Sequence, residues 1–217
     1  MKTLSIESAE ETAEKKPFTI MGVEFVYLFL FGIGFAGLGW IAENTVKIVM
    51  QGTFDCRFHL LPFISPYALV PFALCIALGD PDDIAFFGHR IFKKQHKVLS
   101  NLLCFTLICL SVFLGELAVG NMWEAVSGAE LWNYSNLPLQ VTQYAGLIPS
   151  LGYGGGAYII FKFVYKPLLS FMRRKIKIGT AKIICCTLGT AIIADTLIMM
   201  LHIIIFKQPP MYWSVTF

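Results

Sequence analysis

The sequence predicts an all-α, polytopic integral membrane helix bundle of about five transmembrane helices with a cytoplasmic amphipathic segment. Three observations lead there. Only 14% of the 217 residues are charged, about half the usual share for a soluble domain. The apolar residues, 56% of the chain, gather in five runs. A helix needs about 20 apolar residues to cross a hydrocarbon core of about 30 Å, and most of the runs reach that length. Finally, the loops between runs alternate between basic and nearly uncharged.

Residues 1–17 are polar, with Glu7, Glu10, Glu11 and Glu14 ahead of Lys15 and Lys16, and read as a cytoplasmic tail. Residues 18–217 then form one transmembrane domain. The first run, residues 21–50, exceeds a signal-peptide core and is expected to be a retained span. The second, 61–79, is short and holds Pro62, Pro66 and Pro71, so it is expected to be kinked or partly re-entrant. Asp80-Pro81-Asp82-Asp83 ends it. Residues 84–98 mix Ile84, Phe86, Phe87, Ile91 and Phe92 with His89, Arg90, Lys93, Lys94 and Lys97, a pattern expected of an interfacial amphipathic helix. Spans three, four and five are expected over 102–126, 139–165 and 181–206.

Lys and Arg gather in the 79–98 and 166–178 loops, whereas the 127–138 loop has none and the 51–60 loop has only Arg57. By the positive-inside rule the N-terminus is cytoplasmic and the C-terminus outside, in the cell membrane. Trp132, Tyr134, Tyr212 and Trp213 then fall at the outer interface, where an aromatic belt is expected. The net charge of +3 is explained by juxtamembrane cations and calls for no nucleic acid. The six cysteines make no C-x-x-C pair and read as small apolar fillers, so no metal or cofactor is expected.

Ionisable groups at membrane depth are functional candidates by default. Glu43, Glu116, Glu124, Asp195 and His202 lie toward the outer halves of spans one, three and five, with Arg57 and His59 in the first outer loop. The first five would line one polar cavity open to the outside, with Arg57 and His59 at its mouth, and gathered carboxylates would couple it to protons. The alternatives are structural: Glu43 and Lys47 as an i,i+4 pair, Glu124 as a solvated residue, Asp195 and His202 as hydrogen-bonding links between helices. Gly32, Ala36 and Gly39 fall on one face as a packing seam. The run Gly152–Gly156 after Pro149 is either an unwound segment at a site or a close helix crossing. Walker A, His-Glu-x-x-His and Gly-x-Ser-x-Gly patterns are absent from the sequence, so any ATP hydrolysis would need a separate ATPase subunit.

Gly39-Trp40-Ile41-Ala42-Glu43, Gly52-Thr53-Phe54-Asp55-Cys56-Arg57, Gly115-Glu116, Gly120-Asn121-Met122-Trp123-Glu124 and Leu131-Trp132-Asn133-Tyr134-Ser135 occur in this order. Over residues 28–168 the chain resembles the putative ABC-transporter type IV family of CmpB-type permeases. Glu43, Arg57, Glu116, Glu124, Trp132 and Tyr134 match that pattern by position, while Asn133 stands where the family's Trp-Asp-Tyr-Ser motif has Asp. The resemblance implies a permease. The expected function is therefore a transporter or permease subunit binding a cation, a proton or a cationic substrate through Glu43, Glu116 and Glu124. It would work as a homo-oligomer or with an ATPase subunit. The rivals are a membrane-embedded enzyme acting on lipid or envelope substrates, with Glu and His as acid and base, and a non-catalytic assembly protein.

Overall fold

The structure, a computed structural model, describes residues 17–89 and 97–217. Among the described residues, four helical rods are long and apolar enough to cross a membrane: α1 (Phe25–Gln51), α3 (Lys97–Ser127), the continuous rod Leu147–Lys175, and α6 (Ile178–Phe206). The third rod comprises α4 (Leu147–Ile159), a π-helical turn (Ile160–Val164) and α5 (Tyr165–Lys175). A shorter apolar helix, α2 (Ser65–Leu78), lies between α1 and α3 in sequence. The chain is an all-α membrane helix bundle.

The helices form because their side chains have somewhere apolar to go on every face. On α1, Tyr27, Leu28, Phe31 and Phe35 recur at helical spacing and are buried, while Leu38, Ile41, Val46 and Val49 are left outward, as lipid-facing positions are. α1 packs chiefly on α2 and α6, and α3 on α4. Small residues permit this: a Cβ on Gly32 would stand 2.6 Å from the Ala68 carbonyl oxygen of α2, and one on Gly154 would stand 2.7 Å from Cys109 Sγ of α3. The packing seam expected on span one is thus the α1–α2 contact. The Gly152–Gly156 run is helical, a close crossing with no unwinding.

The elements depart from the sequence reading in four places. α2 begins only at Ser65 and spans about 21 Å at 1.5 Å per residue, short of a crossing. Residues 139–146 are a loop because Leu139 sits at φ 58 and the Val141 and Thr142 amides both bond the Ala145 carbonyl. The basic stretch expected as a loop over 166–178 is mostly helix, since α5 buries Tyr165, Leu169 and Met172 on one stripe and leaves Arg173, Arg174 and Lys175 outside. Pro167 cannot donate to the carbonyl four residues back, and the wider π turn lies just before it. The amphipathic helix expected over 84–98 is not formed over residues 84–89: Ile84 belongs to a short hairpin, and Phe87 and Gly88 have φ of 47 and 82, which a helix forbids. Lys97 and Val98 are helical, within α3. Residues 90–96 of that stretch lie outside the described residues.

Pairings define two ends of the bundle. At one, Arg173 meets Glu24 at 2.9 Å, Tyr27 donates to the Ile176 carbonyl at 2.8 Å, and Lys166 meets Asp80 and Asp82 at 2.5 and 2.7 Å. At the other, Gly52 caps α1 at φ 63, its N–H bonding Ile48, and strand β1 (Thr53–Asp55) pairs antiparallel with β2 (Ser214–Thr216). The ends of α1 and α6 therefore share a side. Trp40, Phe54 and Trp213 pack there edge to face or tilted, with centroids 5.3 to 6.4 Å apart.

Candidate functional site

The turn after β1 aims Arg57 back into the bundle. Asp55, fully buried, accepts from Lys47 and from the Arg57 amide at 2.9 Å, while its own amide donates to Asn44 Oδ1 at 3.0 Å. This clamp holds Arg57 and Phe58 at φ 50 and 69, the left-handed region that side chains disfavour. The Arg57 guanidinium then reaches Glu43 Oε2 at 2.8 Å. Tyr67 of α2 donates to the other oxygen, Oε1, at 2.8 Å. Its ring fits against the bare backbone of Gly39, where a Cβ would stand 2.5 Å from Tyr67 Cγ. The Glu43–Lys47 pair expected from i,i+4 spacing is replaced: Lys47 serves Asp55, and Glu43 serves Arg57.

Glu116 of α3 faces this arrangement. Tyr134, from the 128–146 loop, donates to Glu116 Oε1 at 2.9 Å. Oε2 is buried and has no hydrogen-bond partner among the described residues. Tyr153 of α4 feels the charge of both carboxylates, Glu43 more than Glu116, and its ring centroid is 6.4 Å from that of Tyr67. Glu43 and Glu116 are near enough to feel each other's charge. The loop that delivers Tyr134 is fixed at several points. The Tyr134 amide bonds the Gln143 carbonyl at 2.7 Å, and Trp132 Nε1 donates to the Tyr144 carbonyl at 3.0 Å. The Tyr144 ring occupies the space that a Cβ on Gly120 would take, 2.3 Å from its Cγ. Burial, then the charge of Glu116, pushes the Tyr134 phenol well above the ordinary tyrosine range, so it stays a donor. Its partner is thus a carboxylate inside the bundle, a closer tie than the interfacial belt expected of it.

The remaining candidates lie elsewhere. Asp195 is 4% exposed and accepts from the Leu60 and Leu61 amides at 2.9 and 3.2 Å, with His59 Nδ1 at 3.3 Å. This second polar centre ties the loop before α2 to α6. His59, also 4% exposed, lies in it and not at a cavity mouth. Glu124 is exposed and accepts from Gln143 at 3.2 Å. His202 packs its ring on Phe206, centroids 4.6 Å apart. Asn133 and Ser135 shape the loop: the Ser135 amide bonds Asn133 Oδ1 at 2.8 Å and Asn133 donates to Glu130 at 2.9 Å. Of the predicted residues, then, Glu43, Arg57 and Glu116 come together, with Tyr134 from the loop motif. Tyr67, Tyr153 and Asp55 complete the arrangement and were missed. A tyrosine inside an apolar span was their available signal, since its hydroxyl must find a partner.

A family model described as Putative ABC-transporter type IV matches residues 27–200. The match takes in Glu43, Arg57, Glu116, Tyr134 and Asp195 and stops short of His202. No curated protein and no solved structure matches the chain.

Proposed function

We propose, for a chain that belongs to the Putative ABC-transporter type IV family, a permease function in which Glu43 and Glu116 bind a proton, cation or cationic substrate. The observation that supports it is the meeting of two carboxylates from different helices, one of which keeps a buried oxygen unpaired. A polar centre of that kind is costly in an apolar bundle and is characteristic of transport pathways. Arg57 and Tyr67 hold Glu43 in place, and Tyr134 holds Glu116.

The end carrying Lys166, Arg173, Arg174, Lys175 and Lys177 is assigned to the cytoplasm by the positive-inside rule. The site then opens outward, in the cell membrane, beneath the 52–64 and 128–146 loops. Residues 1–17 are a cytoplasmic tail, residues 18–217 the transmembrane domain, and the C-terminus is outside. A separate ATPase subunit docks on the basic end, and the small bundle works as a homo-oligomer.

The test is purification from native membranes in mild detergent, with mass spectrometry of what stays bound, for wild type and Glu116→Gln. A small molecule retained by wild type alone, together with an ATPase retained by both, is the expected result. Absence of partner and ligand in both samples would overturn the reading. A ligand that purified wild type converts chemically would replace transport by catalysis.

A further inference from the structure

At the basic end of the bundle two adjoining hollows of about 480 Å³ each open beside the start of α1, and their linings differ. One is polar, with Thr19, Glu24 and Arg173 around it. The other runs between α1 and α6 and is apolar, lined by Phe25, Val26 and Phe29 of α1 and by Ile178, Cys185 and Cys186 of α6. Pro17 and Glu24 border both. The apolar hollow is a bounded groove. Cys185 Sγ donates to the Val26 carbonyl at 3.3 Å and bridges the helices along its wall. One turn beyond, Phe29 lies against the bare backbone of Gly189, where a Cβ would stand 2.8 Å from Cε1, so α1 and α6 close together there. From Ile178 to Cys186 the groove follows α6 for about 12 Å.

The mouth of the groove favours an anion. Lys182 lines it, is exposed, and makes no ion pair among the described residues. Arg173 meets Glu24 through Nε, which leaves its terminal nitrogens for another partner. Glu24 and Arg173 cancel in charge, so Lys182 and the adjacent Lys177 leave the mouth net positive. α6 opens here at Ile178 with no side-chain cap and no carboxylate in its first turn, and its free amides also attract negative charge. Both walls of the groove are membrane-crossing helices, so what meets the groove is lipid. A polar, cationic compartment joined to an apolar one suits an amphiphile with an anionic head.

We propose that this groove binds an anionic phospholipid from the leaflet at the basic end. Its phosphate lies among Arg173, Lys182 and the first amides of α6, and one acyl chain lies between α1 and α6. The inference stands apart from the permease reading, since none of these residues belongs to the carboxylate site.

Full-length protein in mild detergent is titrated with phosphatidylglycerol, phosphatidylcholine and diacylglycerol of the same acyl chains, and with glycerol phosphate, and bound species are counted by native mass spectrometry. Phosphatidylglycerol is expected to bind saturably and about tenfold more tightly than the other three. Lys182→Gln should weaken it about tenfold, as should Cys186→Trp, which fills the groove. Lys175→Gln removes an equal charge from the same end without touching the groove, and should keep the affinity within about twofold. Equal binding of phosphatidylglycerol and phosphatidylcholine overturns the proposal. So does an equal loss in Lys175→Gln, which would mean diffuse attraction, or an unchanged affinity in Cys186→Trp. Glycerol phosphate binding as tightly as the lipid would overturn it in favour of a soluble phosphate. Binding gained only when Glu7, Glu10, Glu11 and Glu14 are changed to Gln would instead give the groove to the chain's own acidic N-terminal segment.

Discussion

The Tyr134 hydroxyl donates to Glu116 Oε1 at 2.9 Å across 18 residues of chain, joining a surface loop to a carboxylate inside the bundle. Removing that donor leaves both Glu116 oxygens unpaired. Tyr134→Phe should destabilise the protein by about 1–3 kcal/mol, the usual cost of stranding a buried polar group. In a Glu116→Gln background the same change should cost less, because the two residues interact directly. Chemical unfolding of the four proteins of this cycle measures the coupling, and strictly additive effects would contradict it.

Asp55, fully buried, and Lys47, partly exposed, form an ion pair that the helix spacing of Glu43 and Lys47 would not suggest. Losing one partner of a fully buried pair typically costs about 3–5 kcal/mol, and the partial exposure of Lys47 places this pair below that range. Asp55→Ala should therefore lower stability strongly and release the turn that aims Arg57. Glu43→Gln, in contrast, leaves the Asp55 clamp intact and should cost clearly less. Unfolding midpoints for the two variants in the same detergent check the order.

Two glycines of α3 separate close packing from helix propensity. Gly120→Ala sets a methyl group into the Tyr144 ring and should cost about 1–3 kcal/mol. Gly115→Ala, five positions earlier, meets nothing within 4 Å and should be neutral or stabilise by up to about 1 kcal/mol. Opposite signs in thermal unfolding are the expected outcome.

Asp195 and His202 lie on one helix but do different work. Asp195→Ala strands the Leu60 and Leu61 amides, so hydrogen exchange at residues 57–64 should speed up markedly. His202→Ala removes one ring contact, with Phe206, and should leave exchange in that loop unchanged. Mass-resolved exchange on both variants tests this.

Much of the bundle was legible in the sequence because an apolar run long enough to cross a membrane allows few structures besides a helix. The four long rods and the shortness of the proline-bearing α2 were expected on that ground. Boundaries drawn from charge were less sound. Arg173, Arg174 and Lys175 mark an aqueous end, yet charge does not stop a helix, and α5 runs through them. Leu139 and Val141 looked like membrane and are loop, because backbone bonds to Ala145 and a left-handed Leu139 decide the matter locally. Glu43 and Glu116 could be singled out, but their meeting depends on how two helices are rotated, which no single helix encodes. Asp55 went unrecognised since its partners Lys47 and Asn44 are brought to it by the turn, not by sequence pattern.

The π turn at Ile160–Val164 has an evolutionary consequence. A π turn amounts to one extra residue in an α-helix. Upstream of it the rod carries Tyr153, and downstream it carries Lys166 and Arg173, which meet Asp80, Asp82 and Glu24. Deleting one residue within 160–164 would restore regular winding and leave the two halves near their present angular setting, because the wider turn is what absorbs the extra residue. A change of chain length by one residue is therefore tolerated here without re-aiming either half. Gaps between relatives should therefore cluster in this turn rather than in the flanking helices.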